Sequence, residues 1–255
     1  MQIEDKEAAL MAFLQEKGKI AIAFSGGTDS AYLLYAAAKS GAEVKAYTVK
    51  SAFQPAFETA DAKRLADGLS VASEVIPVDI LQDESIAENP ANRCYHCKKR
   101  IFRAILEHAV RDGFAFLCDG TNASDDAKDR PGMAALRELE VLSPLQSVGL
   151  TKSEVRELSK RAGLFTWDKP AYACLATRIP TGTVITREDL ARTEHAEDYL
   201  SGLGFRDFRV RLAGEAAKLQ IPADGFELLV RKRREILSEL KQYYKEVLVD
   251  LEERG

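Results

Sequence analysis

Apolar positions in this chain follow two alternating rhythms over its first two-thirds. Short, nearly continuous apolar runs at Lys19–Phe24 (KIAIAF), Glu43–Lys50 (EVKAYTVK), Ser73–Ile80 (SEVIPVDI) and Phe114–Cys118 (FAFLC) read as strands. Pro77 weakens the third of these, because proline cannot donate to a sheet ladder. Between the runs, Asp29–Lys39, Ala56–Leu69 and Tyr95–Arg111 repeat at helical spacing, and Gly41 suits the stop of the first. A helix at Met133–Leu139, a short strand at Val141–Leu145 and a helix at Thr151–Arg161 follow. The last opens with a capping box, Thr151 with Glu154 three residues on. Strands separated by single helices predict βαβ units, hence an α/β domain with a parallel sheet and helices on both faces.

The rhythm then breaks. Residues 163–186 carry no sustained period and contain Pro170 and Pro180; a long irregular stretch in a compact chain is usually a functional segment or a linker. Beyond it a helix (Arg187–Leu203), two strands (Phe205–Leu212 and Ala217–Ile221) around Gly214, a helix (Phe226–Tyr243) and a last strand (Glu246–Leu251) predict a smaller C-terminal α+β domain. The organisation expected is therefore an α/β domain over 1–165, an irregular segment over 166–186 and a small α+β domain over 187–255.

Composition narrows the classes. With 46% hydrophobic and 30% charged residues the chain is not disordered, and its longest apolar run, Ala31–Ala38, is far short of a membrane span. The N-terminus lacks the pattern of a signal peptide, so a cytoplasmic protein with reduced thiols and no membrane partner is expected. Four cysteines in 255 residues are not a disulfide scaffold. A net charge of −4 argues against an electrostatic nucleic-acid binder.

Candidate chemistry begins at Ser25-Gly26-Gly27-Thr28-Asp29-Ser30, between the first strand and the first of these helices. Glycines let backbone approach a ligand, and the helix start points free N–H groups and its positive dipole end at the loop, which together make a phosphate cradle. The hydroxyls of Ser25, Thr28 and Ser30 add donors, and Asp29 suits a Mg²⁺ bridging phosphates. The loop is neither a Walker A nor a GxGxxG motif. A second loop, Asp119-Gly120-Thr121-Asn122, also follows a strand, where ligands bind in open parallel sheets. Asp119, Thr121, Asn122 and Arg130 are candidate nucleotide contacts; the alternative is a solvated acidic loop, preferred for Asp126 and Lys128.

Cys94 and Cys97 form a CxxC at a helix start beside Arg93, Lys98 and Lys99, a setting that favours thiolates. The pair reads as a zinc half-site, a redox pair, two ligands of an iron–sulfur cluster, or two unconnected thiols. Cys174 lies in the irregular segment, flanked by Lys169 and Arg178, whereas Cys118 ends an apolar strand and reads as a packing residue. Arg209 and Arg211, two apart on a strand, share a face and suit a phosphate or simply solvent.

SGGTDS resembles the loop of the PP-loop ATP pyrophosphatases, which implies an adenine nucleotide alpha hydrolase-like fold and ATP cleavage between the α and β phosphates. Together with RCYHCKK, DGTN, SPL with GLTK, WDKPAYACLATRIP and the later RVR, the chain resembles the LarE family from about Ser25 to Arg211. That resemblance implies an ATP- and Mg²⁺-dependent sulfurtransferase acting on a small nucleotide, pyridinium-3,5-biscarboxylic acid mononucleotide. A carboxylate would be adenylylated with release of pyrophosphate, and sulfur would then displace AMP. The product would serve the nickel-pincer cofactor of lactate racemase. It implies Cys174 as sulfur donor, either sacrificed to dehydroalanine or joined by Cys94 and Cys97 around a [4Fe-4S] cluster. It further implies Arg209 and Arg211 at the substrate phosphate, an acidic residue at Glu197 (or its neighbours Glu194 and Asp198) near the donor, and a homo-oligomer. The rival enzyme is a PP-loop tRNA thiolase. The rival from another class is a non-catalytic ATP-binding protein.

Overall fold

The structure is a computed structural model that describes residues 2–125, 131–170 and 172–252. The chain divides into two compact units, Met1–Ile80 with Asn92–Tyr172, and Leu81–Ala91 with Ala173–Gly255.

The first unit contains a helix that the strand–helix alternation does not announce, α1 (Ile3–Lys17), which buries Leu10 and Leu14. There follow β1 (Lys19–Ala23), α2 (Thr28–Lys39), β2 (Glu43–Lys50), α3 (Ala56–Gly68) and β3 (Ala72–Pro77). The short helix α4 (Glu84–Ala87) belongs to the second unit, and the first resumes with α5 (Arg93–Arg111), β4 (Phe116–Cys118), α6 (Pro131–Glu138), α7 (Pro144–Ser147) and α8 (Lys152–Arg161). The four strands form one parallel sheet in the order β3-β2-β1-β4. Ile20, Ala21 and Ile22 of the inner strand β1 are wholly buried, as a strand covered on both faces requires. Its core joins Leu10 and Leu14 of α1, Leu33 and Leu34 of α2, Leu65 of α3 and Val155 and Leu158 of α8.

Both candidate loops leave the carboxyl ends of adjacent strands: 25–30 follows β1 and 119–122 follows β4. Helix α5 is tied to the sheet by a charged network. Lys45 on β2 pairs with Glu74 on β3 (2.7 Å) and Asp112 (2.5 Å), while His108 and Arg111 of α5 reach Glu74 at 2.6 and 3.1 Å. Lys45 and the α5 cations hold the Glu74 carboxyl down at about 2.

In the second unit, α9 (Arg187–Gly202) precedes a hairpin of β5 (Arg209–Ala213) and β6 (Ala216–Gln220). Helix α10 (Phe226–Leu240) then returns the chain to β7 (Glu246–Val249), parallel to β6. The sheet order is β5-β6-β7, a mixed sheet as expected of an α+β unit.

Two expected strands differ. Val141–Leu145 is not a strand: Leu142 makes a single bridge to Cys118, and Pro144, which has no N–H for a ladder, instead opens α7. The strand expected over Phe205–Leu212 starts only at Arg209, because Asp207 adopts a positive φ of 49° that extended pairing excludes. No helix among the described residues is long and apolar enough to cross a membrane.

Candidate functional site

The candidate phosphate loop is shaped by its own Gly26 and by Gly120 of the second loop. Gly26 has φ +76°, and a Cβ there would lie 3.0 Å from the Glu58 carbonyl oxygen and 3.1 Å from the Ala62 nitrogen on α3. Gly120 is more constrained, since its Cβ would stand 2.8 Å from the backbone nitrogen of Ser30. The second loop therefore lies directly on the first turn of α2, an approach open only to a residue without a side chain. Asn122, almost fully buried, closes the join by donating to Asp29 at 3.3 Å.

Within the loop the Ser25 and Ser30 hydroxyls are 3.1 Å apart, and the Thr28 hydroxyl donates to the Thr166 carbonyl at 2.8 Å. What Thr28 offers a ligand is thus its backbone N–H at the helix start. Asp29 accepts from the Lys152 ammonium at 2.5 Å. Asp119 is engaged by its own loop: the Thr121 and Ser143 hydroxyls donate to its carboxylate at 2.5 and 2.7 Å. Arg130, with Asp126 and Lys128, lies outside the described residues.

A cleft of about 360 Å³ opens over these loops, lined by Ser25, Gly27, Asp29 and Ser30 at one end and by Phe24, Val49, Ile101, Phe102 and Met133 at the other. Donors and a helix start at one end with apolar walls at the other suit a nucleotide, polyphosphate on the loop and base between the side chains. Lys98 also lines this cleft, its stem packed over Gly132, where a Cβ would meet it at 2.7 Å. Lys98, Gly120 and Lys152 were not among the expected contacts. Gly120 stands inside the motif read for the second loop, and Lys152 directly follows the capping Thr151 in GLTK.

Cys94 and Cys97 sit one helical turn apart in the first turns of α5, Cys94 exposed and Cys97 half-buried. Arg93 donates to the Cys94 sulfur at 3.8 Å, while Lys99 is committed to Glu138 at 2.7 Å. Among the described residues no group of three or more His, Cys, Asp or Glu side chains is placed to hold a metal ion. The α5 pair alone supplies two thiols, fewer than the three that the family resemblance implies for a [4Fe-4S] cluster. A single carboxylate such as Asp29 fits Mg²⁺, which takes most of its ligands from phosphate and water. Burial pushes the Cys118 thiol up to about 12, so it stays protonated and inert.

The second unit builds its own constellation around Cys174, which is half-buried at the start of a short 3₁₀ turn, Leu175–Arg178. Arg178, 1% exposed, pairs with Glu197 of α9 through Nε (2.8 Å) and Nη2 (3.0 Å). Its Nη1 donates to the Ala173 carbonyl (2.9 Å) and the Thr177 hydroxyl (2.8 Å). The Thr177 hydroxyl and N–H both donate to the Cys174 carbonyl, at 2.8 and 3.0 Å. Glu197 also accepts from the Val210 N–H at 3.0 Å, tying the turn to β5. Arg211 donates to the Thr177 carbonyl at 2.7 Å, and Arg209, buried, donates to the Phe208 carbonyl at 2.6 Å. Thus the structure brings Cys174, Glu197 and Arg211 into one constellation with Arg178 as its hub, while Arg209 is buried on β5 with its guanidinium on the carbonyl of its neighbour Phe208. Of the two alternatives to Glu197, Asp198 is exposed on α9, its carboxyl raised by partial burial and the Glu197 charge.

Comparison with known proteins identifies the family. The family model of queuosine biosynthesis protein QueC matches residues 19–100, the stretch from β1 into the CxxC helix. The pyridinium-3,5-bisthiocarboxylic acid mononucleotide synthase of Lactiplantibacillus plantarum is 32% identical over 219 residues, 85% of this chain and 79% of that one. This chain belongs to the LarE family. Membership makes it a PP-loop sulfurtransferase. An uncharacterised Synechocystis protein is 34% identical over 90% of this chain and 86% of its own length. The tRNA-specific 2-thiouridylase MnmA of Thermotoga petrophila is 27% identical over 57% of this chain and 52% of its own.

Proposed function

We propose that this LarE-family chain uses ATP to activate a carboxylate of pyridinium-3,5-biscarboxylic acid mononucleotide and then replaces oxygen with sulfur drawn from Cys174, toward the nickel-pincer cofactor of lactate racemase. The observation that carries the reading is the pairing of a nucleotide-sized cleft over SGGTDS with a cysteine turn organised around a buried ion pair in one chain of this family.

In this reading the N–H groups of Gly27 to Ser30 and the Lys152 and Lys98 cations receive the polyphosphate, with Mg²⁺ on Asp29. The substrate carboxylate attacks the α-phosphorus and pyrophosphate leaves; fixed dipoles and cations at the leaving group favour that step. The Cys174 thiolate attacks the acyl adenylate and AMP leaves. Loss of the Cys174 Cα proton with breakage of its Cβ–Sγ bond leaves sulfur on the substrate and dehydroalanine in the chain, with no external oxidant or reductant. Arg209 and Arg211 hold the substrate phosphate. Glu197 positions the cysteine turn through Arg178.

The test is pyrophosphate release from ATP and Mg²⁺. The reading expects release that depends on the biscarboxylate mononucleotide; release unaffected by it, or none, contradicts the reading. Iron analysis of anaerobically purified protein addresses the cluster branch separately: iron retained by the wild type and lost in Cys94→Ala and Cys97→Ala would favour that branch over the sacrificed thiol. The MnmA match supports tRNA thiolation as a second reading, and salt-dependent tRNA binding would favour it over a small nucleotide.

A further inference from the structure

The strap that follows α8 runs against the phosphate loop, and its lysine has no assigned task. Three carbonyls pin the strap: Thr166 accepts from the Thr28 hydroxyl (2.8 Å), and Trp167 and Lys169 accept from the Arg156 guanidinium (3.4 and 2.8 Å). The Lys169 side chain, 16% exposed, ends with its ammonium 2.9 Å from Asp61 on α3 and 3.3 Å from the carbonyl oxygen of Gly26. It also lies over the Phe57 ring at 5.4 Å. A lysine pinned at its backbone and anchored at its tip by a carboxylate, a carbonyl and a ring face is not an ordinary solvated surface lysine.

What it touches gives it a role. The Gly26–Gly27 peptide is trans, so its C=O and N–H point in opposite directions. A peptide between two glycines has little steric preference for which side faces the ligand. Gly27 lines the cleft, and among the described residues its N–H makes only a long 3.4 Å contact, to the Ser25 hydroxyl. A cation bound to the carbonyl on one side keeps the donor turned to the other. Were the peptide reversed, the loop would present a carbonyl oxygen to an anion.

We infer that Lys169 is a positioning residue of the phosphate loop. Anchored by Asp61, it holds the Gly26 carbonyl and so keeps the Gly27 N–H directed at the polyphosphate of a nucleoside triphosphate. The inference rests on the reading that this loop binds polyphosphate, and its test separates the two.

Inorganic pyrophosphate with Mg²⁺, and separately adenosine, are titrated calorimetrically into the full chain and into Lys169→Met, Lys169→Arg and Asp61→Asn. Thermal unfolding and the Gly27 amide resonance of the ligand-free proteins are recorded alongside. Loss of one oriented hydrogen-bond donor predicts about tenfold weaker pyrophosphate binding in Lys169→Met, unchanged adenosine binding and a displaced Gly27 amide nitrogen. Lys169→Arg, which retains charge and donors, restores both the pyrophosphate affinity and the Gly27 resonance. Asp61→Asn shifts pyrophosphate affinity and the Gly27 resonance the same way but less, and carries the test if Lys169→Met does not fold.

Wild-type failure to bind pyrophosphate removes the phosphate reading and this inference with it. Wild-type binding with both variants unchanged overturns the inference alone. So does weakened pyrophosphate binding with an unmoved Gly27 resonance, which assigns Lys169 a bare charge effect, or an equal loss of adenosine binding, which assigns it a general structural role.

Discussion

The two candidate sites are built from different materials. The phosphate loop of the first unit is made of backbone: a positive-φ glycine packed on α3, a second glycine seated on Ser30, and the free N–H groups of a helix start. The cysteine turn of the second unit is made of side chains, with a buried guanidinium holding the Ala173 carbonyl, the Thr177 hydroxyl and the carboxylate of Glu197. The first should be most sensitive to an added Cβ at its contact points. The second should be most sensitive to loss of its buried ion pair. The difference predicts where each site breaks.

The largest effect expected is chemical. Cys174→Ala should abolish the sulfur-containing product while leaving pyrophosphate release intact. Cys118→Ala, which removes only a buried packing thiol, should leave product formation within about twofold and cost on the order of 1 kcal/mol of stability, read by denaturant unfolding. Equal loss in both variants would mean that the cysteines had been assigned wrongly.

Gly120→Ala challenges the backbone-built site. Its added Cβ, 2.8 Å from the Ser30 nitrogen, must push the second loop off α2. We expect about a hundredfold loss of pyrophosphate release, since a shift of about 1 Å at a positioned group costs that much. Unaltered turnover would show that the loop contact does not set the site.

Arg178→Met challenges the side-chain-built site. Leaving Glu197 buried without its partner should cost about 3–5 kcal/mol of stability. Adding Glu197→Met should recover part of that in denaturant melts, while neither variant should donate sulfur. Pyrophosphate affinity should persist in both. A double variant no more stable than the single one would argue that the pair is not the hub.

The smallest effect sharpens the comparison from the other direction, because the first unit also contains a side-chain-built part, the Lys45–Glu74–His108 network beneath α5. Glu74 titrates lower in the folded chain, near 2, than in the unfolded one, where the ordinary value is 4.5. Its contribution is therefore fully present above the unfolded value and fades as pH falls through the folded one. Glu74→Gln should flatten the decline of stability between about pH 5 and pH 2, by roughly 1 kcal/mol, and leave the neutral-pH profile's shape unchanged. A steeper acid decline in the variant would reverse the assignment.

The contrast also explains what was legible in the sequence. Strand–helix alternation exposed the parallel sheet, because β1 and its neighbours are buried on both faces and leave continuous apolar runs. Glycine spacing singled out the 25–30 loop, because backbone shape is encoded locally. Helix α1 escaped: its polar residues outnumber its buried Leu10 and Leu14, and tertiary packing rather than pattern holds it. Val141–Leu145 misled because a short apolar run does not distinguish a strand from a proline-initiated turn. At the second site, Cys174, Glu197, Arg209 and Arg211 came from family resemblance. Their hub, Arg178, was visible only as a neighbour of Cys174, since its partner lies 19 residues further along. Lys169 was noted for the same reason, yet its contacts lie 143 and 108 residues away, at Gly26 and Asp61. No local pattern encodes such contacts.

The central claim is that one chain couples ATP cleavage at the backbone-built loop to sulfur delivery from Cys174. The most direct test is mass spectrometry of substrate and protein after one reaction with ATP, Mg²⁺ and pyridinium-3,5-biscarboxylic acid mononucleotide. The account predicts a substrate in which oxygen has been replaced by sulfur and a Cys174 peptide lighter by H₂S. An unmodified substrate despite pyrophosphate release, or a thiolated one beside an intact Cys174, would contradict it.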